Sequence, residues 1–183
     1  MSAKYLNLFI EIILALETAK QNIFKELESF IEASGLTLVS KDIDRPWGGF
    51  FVIDEKDSEA FIHKFFPELL LNEEVIGSKV SPKILVVAPK TRLSWQYHNF
   101  RSEIWKLVDG KAKIMLSASD HQPPAQDMVT GQVVVINQGE RHRLIGDSDS
   151  WGIIAEIWKH DDRDNPSTEN DIVRIADDYG RNT

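Results

Sequence analysis

The sequence contains no cysteine, no excess of basic residues and no apolar run long enough to cross a bilayer. The absence of cysteine excludes disulfide bonds, thiolate metal sites and cysteine nucleophiles. It also fits a reducing compartment, and we expect a cytoplasmic protein. The formal net charge of −8 argues against nucleic acid as a partner, because a phosphate backbone requires a basic surface.

The most apolar stretch lies near the N-terminus, at residues 6–16, and is interrupted only by Asn7 and Glu11. It is shorter than the roughly 20 residues that a transmembrane helix requires. Only Lys4 precedes it, and no small-residue cleavage site of a signal peptide follows cleanly. We therefore expect no membrane segment.

Residues 4–33 carry apolar side chains at three- and four-residue steps, which predicts an amphipathic helix that ends before Gly35. Such a helix must pack on something, either the rest of the chain or a second copy, so a homodimer is one expected state. A chain of 183 residues points to one domain with at most an appendage. We divide it into a helical extension, 1–35, and one domain, 36–183.

Beyond residue 36 the pattern changes to short, often β-branched apolar runs that are separated by turn signals. Such serial strands predict a mainly β sandwich or barrel rather than βαβ units. We expect a short helix at 58–66 and one helical turn near 171–175 in a polar tail. The predicted strands are 50–53, 84–88, 104–108, 113–116, 133–136 and 152–157.

Four side chains could converge on one cation. Gln96 and His98 are two residues apart and so share one face of a strand. Glu103 follows after a bend that should start a neighbouring strand, and His142 comes just after a later strand and turn. Two imidazoles, a carboxylate and an amide oxygen suit one divalent ion, zinc first, with manganese, iron, cobalt and nickel also compatible. The other conspicuous histidines are interpreted as structural: His63, His121 and His160.

The spacing of these residues carries a family resemblance. The pattern QxHxxxxE at 96–103, a glycine at 110, a glycine at 131 and GxxH at 139–142 resembles the two cupin motifs. RPWG at 45–48, RSExW at 101–105 and IVRIADDYGR at 172–181 are similar to type II mannose-6-phosphate isomerases. The resemblance covers residues 38–181. It implies a cupin jelly-roll barrel behind the N-terminal helix, a metal inside it, and interconversion of mannose 6-phosphate and fructose 6-phosphate.

Isomerisation of a phosphorylated sugar needs a proton carrier and cations for the phosphate. The carrier candidates are Lys83, which matches a lysine of the family, and Glu156 on a late strand. Arg181, in a tail expected to fold over the barrel mouth, completes the candidate catalytic set. The candidate phosphate-binding residues are Arg45, Arg101 and Arg174.

The chain departs from the family at several positions. The family usually has histidines at the positions of Asn99, Phe100 and Ile104, and a proline at that of Asn137. None of these is a proposed ligand, but lost histidines near the site could alter substrate choice or activity. The departures motivate an alternative, a non-catalytic sugar- or sugar-nucleotide-binding cupin of polysaccharide biosynthesis. An oxygen-using iron cupin is a third interpretation, against which Gln96 in place of histidine argues.

Overall fold

The computed structural model describes the backbone of residues 3–181 and the side chains of residues 16–181. The predicted N-terminal helix is confirmed at backbone level, and it is followed by two short helices. Their bounds are α1 (Ala3–Ala33), α2 (Ser58–Phe65) and α3 (Glu73–Ile76). The apolar side chains of residues 6–15, which would help to choose between domain cover and dimer contact, lie outside the described residues. No helix in the described part of the chain is both long and apolar enough to span a bilayer.

The rest of the described chain is mostly strand. The strands are β1 (Leu38–Asp42), β2 (Gly48–Ile53), β3 (Val80–Val87), β4 (Trp95–His98), β5 (Arg101–Gly110), β6 (Ala112–Ser117), β7 (Gln126–Asp127), β8 (Val133–Ile136), β9 (Arg141–Gly146), β10 (Gly152–His160) and β11 (Ile172–Ala176). They form a six-stranded sheet, in the order β1-β2-β3-β10-β5-β8, and a five-stranded sheet, in the order β11-β4-β9-β6-β7. All strand pairs are antiparallel, which confirms the predicted mainly β architecture.

The outer face of the six-stranded sheet is covered by the helices. Phe24 and Ile31 of α1 and Phe61 of α2 are buried in one apolar cluster with Ile104 and Ile157 of the sheet. The second half of α1 therefore packs on its own domain. The division at residue 35 stays a prediction.

The inner face of the same sheet looks into the barrel, because alternate residues of a strand point to opposite faces. Trp105 and Leu107 of β5 pack there against Leu144 of the five-stranded sheet and Ile154 of β10. These apolar side chains fill one part of the interior. The remainder is lined by buried polar residues from both sheets.

Two local predictions were wrong. The helical turn expected near 171–175 is instead a 3-10 turn, Glu169–Asp171, followed by β11. This segment is extended because β11 pairs with β4, with Arg174 opposite Gln96. Glu103 was expected on a strand next to that of His98, but β4 and β5 belong to different sheets. The carboxylate therefore reaches the histidines across the barrel interior.

Candidate metal centre

The proposed ligands come from three strands. Gln96 and His98 lie on β4, and His142 lies opposite Gln96 on the neighbouring β9. Glu103, on β5, faces them from the other sheet. All four side chains are buried.

The carboxylate of Glu103 bridges the two imidazoles. Its Oε1 lies 3.1 Å from His98 Nε2, and its Oε2 lies 3.4 Å from His142 Nε2. The two rings are 5.2 Å apart between centroids. One ligand atom from each of the three residues lies within 4.8 Å of the others, a spacing that one ion could bridge.

The protonation states favour cation binding. Burial lowers the pKa of His142 to about 4, although the nearby Glu103 opposes this, so the imidazole is neutral at neutral pH. Its Nδ1 lies 3.0 Å from the carbonyl oxygen of Glu140, to which it can donate, and Nε2 then turns its lone pair inward. Burial would raise the pKa of Glu103, but the charge and the hydrogen bond of His98, together with the charge of Arg101, hold it well below its usual value.

Two atoms of this group lack a hydrogen bond. Glu103 Oε2 and His98 Nδ1 are both buried without a hydrogen-bond partner among the described residues. A buried carboxylate oxygen without a partner is costly unless something binds it. His98, Glu103 and His142 therefore fit a divalent ion, and their nitrogen and oxygen atoms are compatible with zinc and with the other metals expected from the sequence.

Gln96 is at the expected place, but its amide is turned the other way. Its Oε1 accepts a hydrogen bond of 2.5 Å from Ser94 Oγ, while its Nε2 lies 3.4 Å from His142 Nε2. An amide nitrogen is not a metal ligand. Ligation by Gln96 requires a half-turn of the amide, after which Ser94 Oγ would accept from Nε2.

Arg101, a candidate phosphate-binding residue, is in contact with the ligand group. Its guanidinium is buried, and it donates to Glu103 Oε1 at 2.9 Å and to the carbonyl oxygen of Thr168 at 3.1 Å. It stacks on the Trp158 ring at 3.5 Å. All three nitrogen atoms of its guanidinium thus contact groups inside the protein, and its expected role as a phosphate receptor stays a prediction.

An open pocket of about 530 Å³ lies beside these ligands. Gln96, Glu103 and both proton-carrier candidates, Lys83 and Glu156, line it. Burial and then the charge of Glu103 raise the pKa of Glu156 to about 8, and its Oε1 accepts a hydrogen bond of 2.9 Å from Trp105 Nε1. The Lys83 ammonium is paired with Glu169 and lies 3.2 Å from the centroid of the Trp158 ring.

The remaining arginine candidates, Arg45, Arg174 and Arg181, line the same pocket. Arg45 Nε lies 2.8 Å from Asp42, and the Arg181 guanidinium pairs with Asp177. The guanidinium of Arg174 makes no hydrogen bond or ion pair with any residue from 16 to 181, and its Nε is buried. As expected, the tail returns to the barrel, because Arg181 lines the pocket and Tyr179 packs against the barrel core.

Sequence reasoning gave no role to two residues of this pocket. Ser94 received no role, although its hydroxyl donates a hydrogen bond to the Gln96 amide oxygen. Glu169 lies in the segment that was predicted as irregular tail, and no sequence signal links it to Lys83, 86 positions away.

Comparison with known proteins gives the family. Residues 74–177, more than half of the chain, match the family model described as mannose-6-phosphate isomerase C-terminal. The chain belongs to this family. The matched residues include all four proposed metal ligands.

A mannose-1-phosphate guanylyltransferase of Salmonella montevideo is 25% identical over 173 residues. The match covers 92% of this family member but 30% of that protein, so the chain spans less than a third of the length of its curated relative. Two solved structures of oxalate decarboxylase, one a variant from Bacillus subtilis, are similar with a TM-score of 0.51 and 16% identity. Each match covers 74% of this chain and 30% of the other, and it shows the cupin fold.

Proposed function

We propose that this protein is a metal-dependent isomerase of a phosphorylated sugar, and that it interconverts mannose 6-phosphate and fructose 6-phosphate. One observation carries the proposal. A single pocket joins the metal-ligand group, through Glu103, to Glu156 and to the cationic side chains of Arg45, Arg174 and Arg181. A metal ion, a proton carrier and a phosphate receptor together supply what a metal-dependent isomerisation of a sugar phosphate needs.

The metal, zinc or another divalent ion held by His98, Glu103 and His142, would act as a Lewis acid on the sugar oxygens. The protein must then move protons. One proton leaves C2 of the aldose for a base and returns to C1, while a hydroxyl proton passes from O2 to O1, so that no other reactant is needed.

Glu156 is the better proton carrier of the two candidates. A pKa of about 8 places it near the operating pH, where a general acid–base group works best. The hydrogen bond from Trp105 holds its carboxyl group in place at the pocket wall. Lys83 is tied to Glu169, so we assign it to holding the substrate rather than to proton transfer.

Arg174 is the strongest phosphate receptor of the pocket. Its guanidinium makes no ion pair with a described residue, and its Nε is buried without a hydrogen-bond partner. Arg45 and Arg181 already share their charge with Asp42 and Asp177. A guanidinium binds a phosphate through two parallel hydrogen bonds, which suits a sugar phosphate better than a neutral sugar.

The residues that depart from the family pattern lie outside the pocket, which favours retained activity. Asn99 and Phe100 are exposed, and Ile104 is buried in the cluster under the helices. None of the three is among the described residues that line the pocket. The replacement of the family's histidines at these positions therefore removes no side chain from the pocket wall.

The test is a direct assay. Purified protein loaded with Zn²⁺, Mn²⁺ or Co²⁺ should convert mannose 6-phosphate to fructose 6-phosphate. A chelator should stop the reaction, and added metal should restore it. The His142→Ala variant is the matched inactive control. A metal-loaded protein that turns over no hexose phosphate would contradict the proposal.

A further inference from the structure

Arg101 lies inside the ligand group itself. Its Nη2 is 3.2 Å from His98 Nε2, and its Nε is 2.9 Å from Glu103 Oε1. Its side chain is 2% exposed, so water cannot screen its charge from the ligands. A permanent cation thus contacts two of the three groups that would bind a divalent ion.

The contact occupies the atom that a metal would use. An imidazole Nε2 offers one lone pair or one proton, and here it faces a donor, Arg101, and an acceptor, Glu103. Either it accepts from the guanidinium or it donates to the carboxylate. In both cases a metal ion can bind His98 Nε2 only by replacing that interaction.

Arg101 remains close when this one contact is given up. Stacking on Trp158 and the hydrogen bonds to Thr168 and Glu103 hold the guanidinium independently of His98. A bound ion would therefore always have a positive charge beside it. Like charges in a buried site repel far more strongly than in water.

We propose that Arg101 weakens metal binding, because it competes with the ion for His98 Nε2 and repels it. The inference rests on the proposed metal centre but not on the isomerase reaction. A residue that contacts a metal ligand ordinarily strengthens metal binding. Such residues usually orient their ligand, and their removal weakens metal binding about 10- to 100-fold. The sign of the change therefore separates the two roles.

The experiment measures the Zn²⁺ dissociation constant by competition with a coloured chelator, without any sugar. We expect Arg101→Met to bind Zn²⁺ roughly 10- to 100-fold more tightly than the wild type. Arg101→Lys keeps the positive charge but lacks the forked geometry of the guanidinium. Its Zn²⁺ dissociation constant should therefore lie between those of the wild type and Arg101→Met.

Lys106→Met is the matched control. Lys106 is a buried cation on the same strand, but it points to the outer face, where it donates to the carbonyl oxygen of Phe65 at 2.8 Å. Its removal should leave the constant unchanged. His142→Ala should abolish tight binding.

Equal or weaker binding by Arg101→Met would overturn the role of Arg101 and leave the metal centre intact. Absence of Zn²⁺ binding in every variant would overturn both. If Arg101→Met does not fold, Arg101→Lys decides, because an affinity no tighter than that of the wild type contradicts competition.

Discussion

Glu156 is the residue on which the proposed proton transfer depends. The charged groups that act on its carboxyl group are Glu103, Lys83, Arg101 and Glu169, and burial is the largest cause of the raised pKa of about 8. As the pH rises through this value, the ionised base becomes more abundant. The turnover of the metal-loaded enzyme should therefore increase as the pH rises through the pKa of Glu156, which an ion bound to Glu103 would place below its metal-free value.

Replacement of this carboxyl group tests the assignment. Glu156→Gln keeps the shape of the side chain but removes its ability to carry a proton. It should lower kcat by roughly 10²–10⁴-fold, the usual contribution of a general acid–base group. Glu169→Gln, which also changes a carboxylate of the pocket wall, should change kcat much less. A rate that does not vary with pH, together with an active Glu156→Gln, would show that another group carries the proton.

His142 links stability to pH. Burial lowers its pKa to about 4 in the folded protein, against about 6.5 in the unfolded chain. The contribution of the neutral imidazole to the free energy of unfolding is complete above pH 6.5. It is lost as the pH falls towards 4, because the unfolded chain binds the proton at a higher pH than the folded chain does.

Urea unfolding of the metal-free protein at pH 7 and pH 4.5 measures this effect. The free energy of unfolding of the wild type should fall relative to that of His142→Asn by on the order of 2–3 kcal/mol. Parallel pH dependence of the two proteins would mean that the imidazole is protonated in the folded state.

At the scale of elements, Asp171 joins the C-terminal segment to the turn between β4 and β5. Its two carboxylate oxygens accept the backbone N–H groups of Asn99 and Phe100, both at 3.0 Å. Loss of both bonds in Asp171→Ala should lower the free energy of unfolding by about 1–3 kcal/mol. Asp162→Ala, at an exposed turn, is the control, and chemical denaturation is the measurement. Equal stability of the two variants would remove this role.

Regular elements with a strong apolar pattern were predictable. The run at 133–136 coincides with β8, and the predicted helix at 58–66 differs from α2 by one residue. β1 and β7 were missed because they are mostly exposed and lack an apolar pattern. β11 was misassigned because its extended form depends on pairing with β4, which local sequence does not encode.

The candidate site was predictable only where its residues are close together in the sequence. Spacing along β4 brought Gln96 and His98 to one face, but it could not give the orientation of the amide, whose oxygen accepts a hydrogen bond from Ser94. Nor could it distinguish Arg101, whose guanidinium donates to Glu103, from Arg174, whose guanidinium has no ion pair among the residues with described side chains. Both facts depend on contacts between different elements.

At the scale of the whole molecule, the six-stranded sheet separates two environments. Its outer face is apolar and carries the helices, and its inner face presents polar groups to the pocket. Adjacent residues of β5 illustrate this, since Glu103 faces the ligands while Ile104 packs under α1 and α2. Substitution on the outer face can therefore change packing without changing the chemistry of the pocket.

Whether this barrel holds one divalent ion on His98, Glu103 and His142 can be measured by equilibrium dialysis against Zn²⁺, followed by elemental analysis. We expect about one ion per chain in the wild type and loss of that ion in His98→Ala and in His142→Ala. A wild type that retains no zinc, or variants that retain it fully, would contradict the claim.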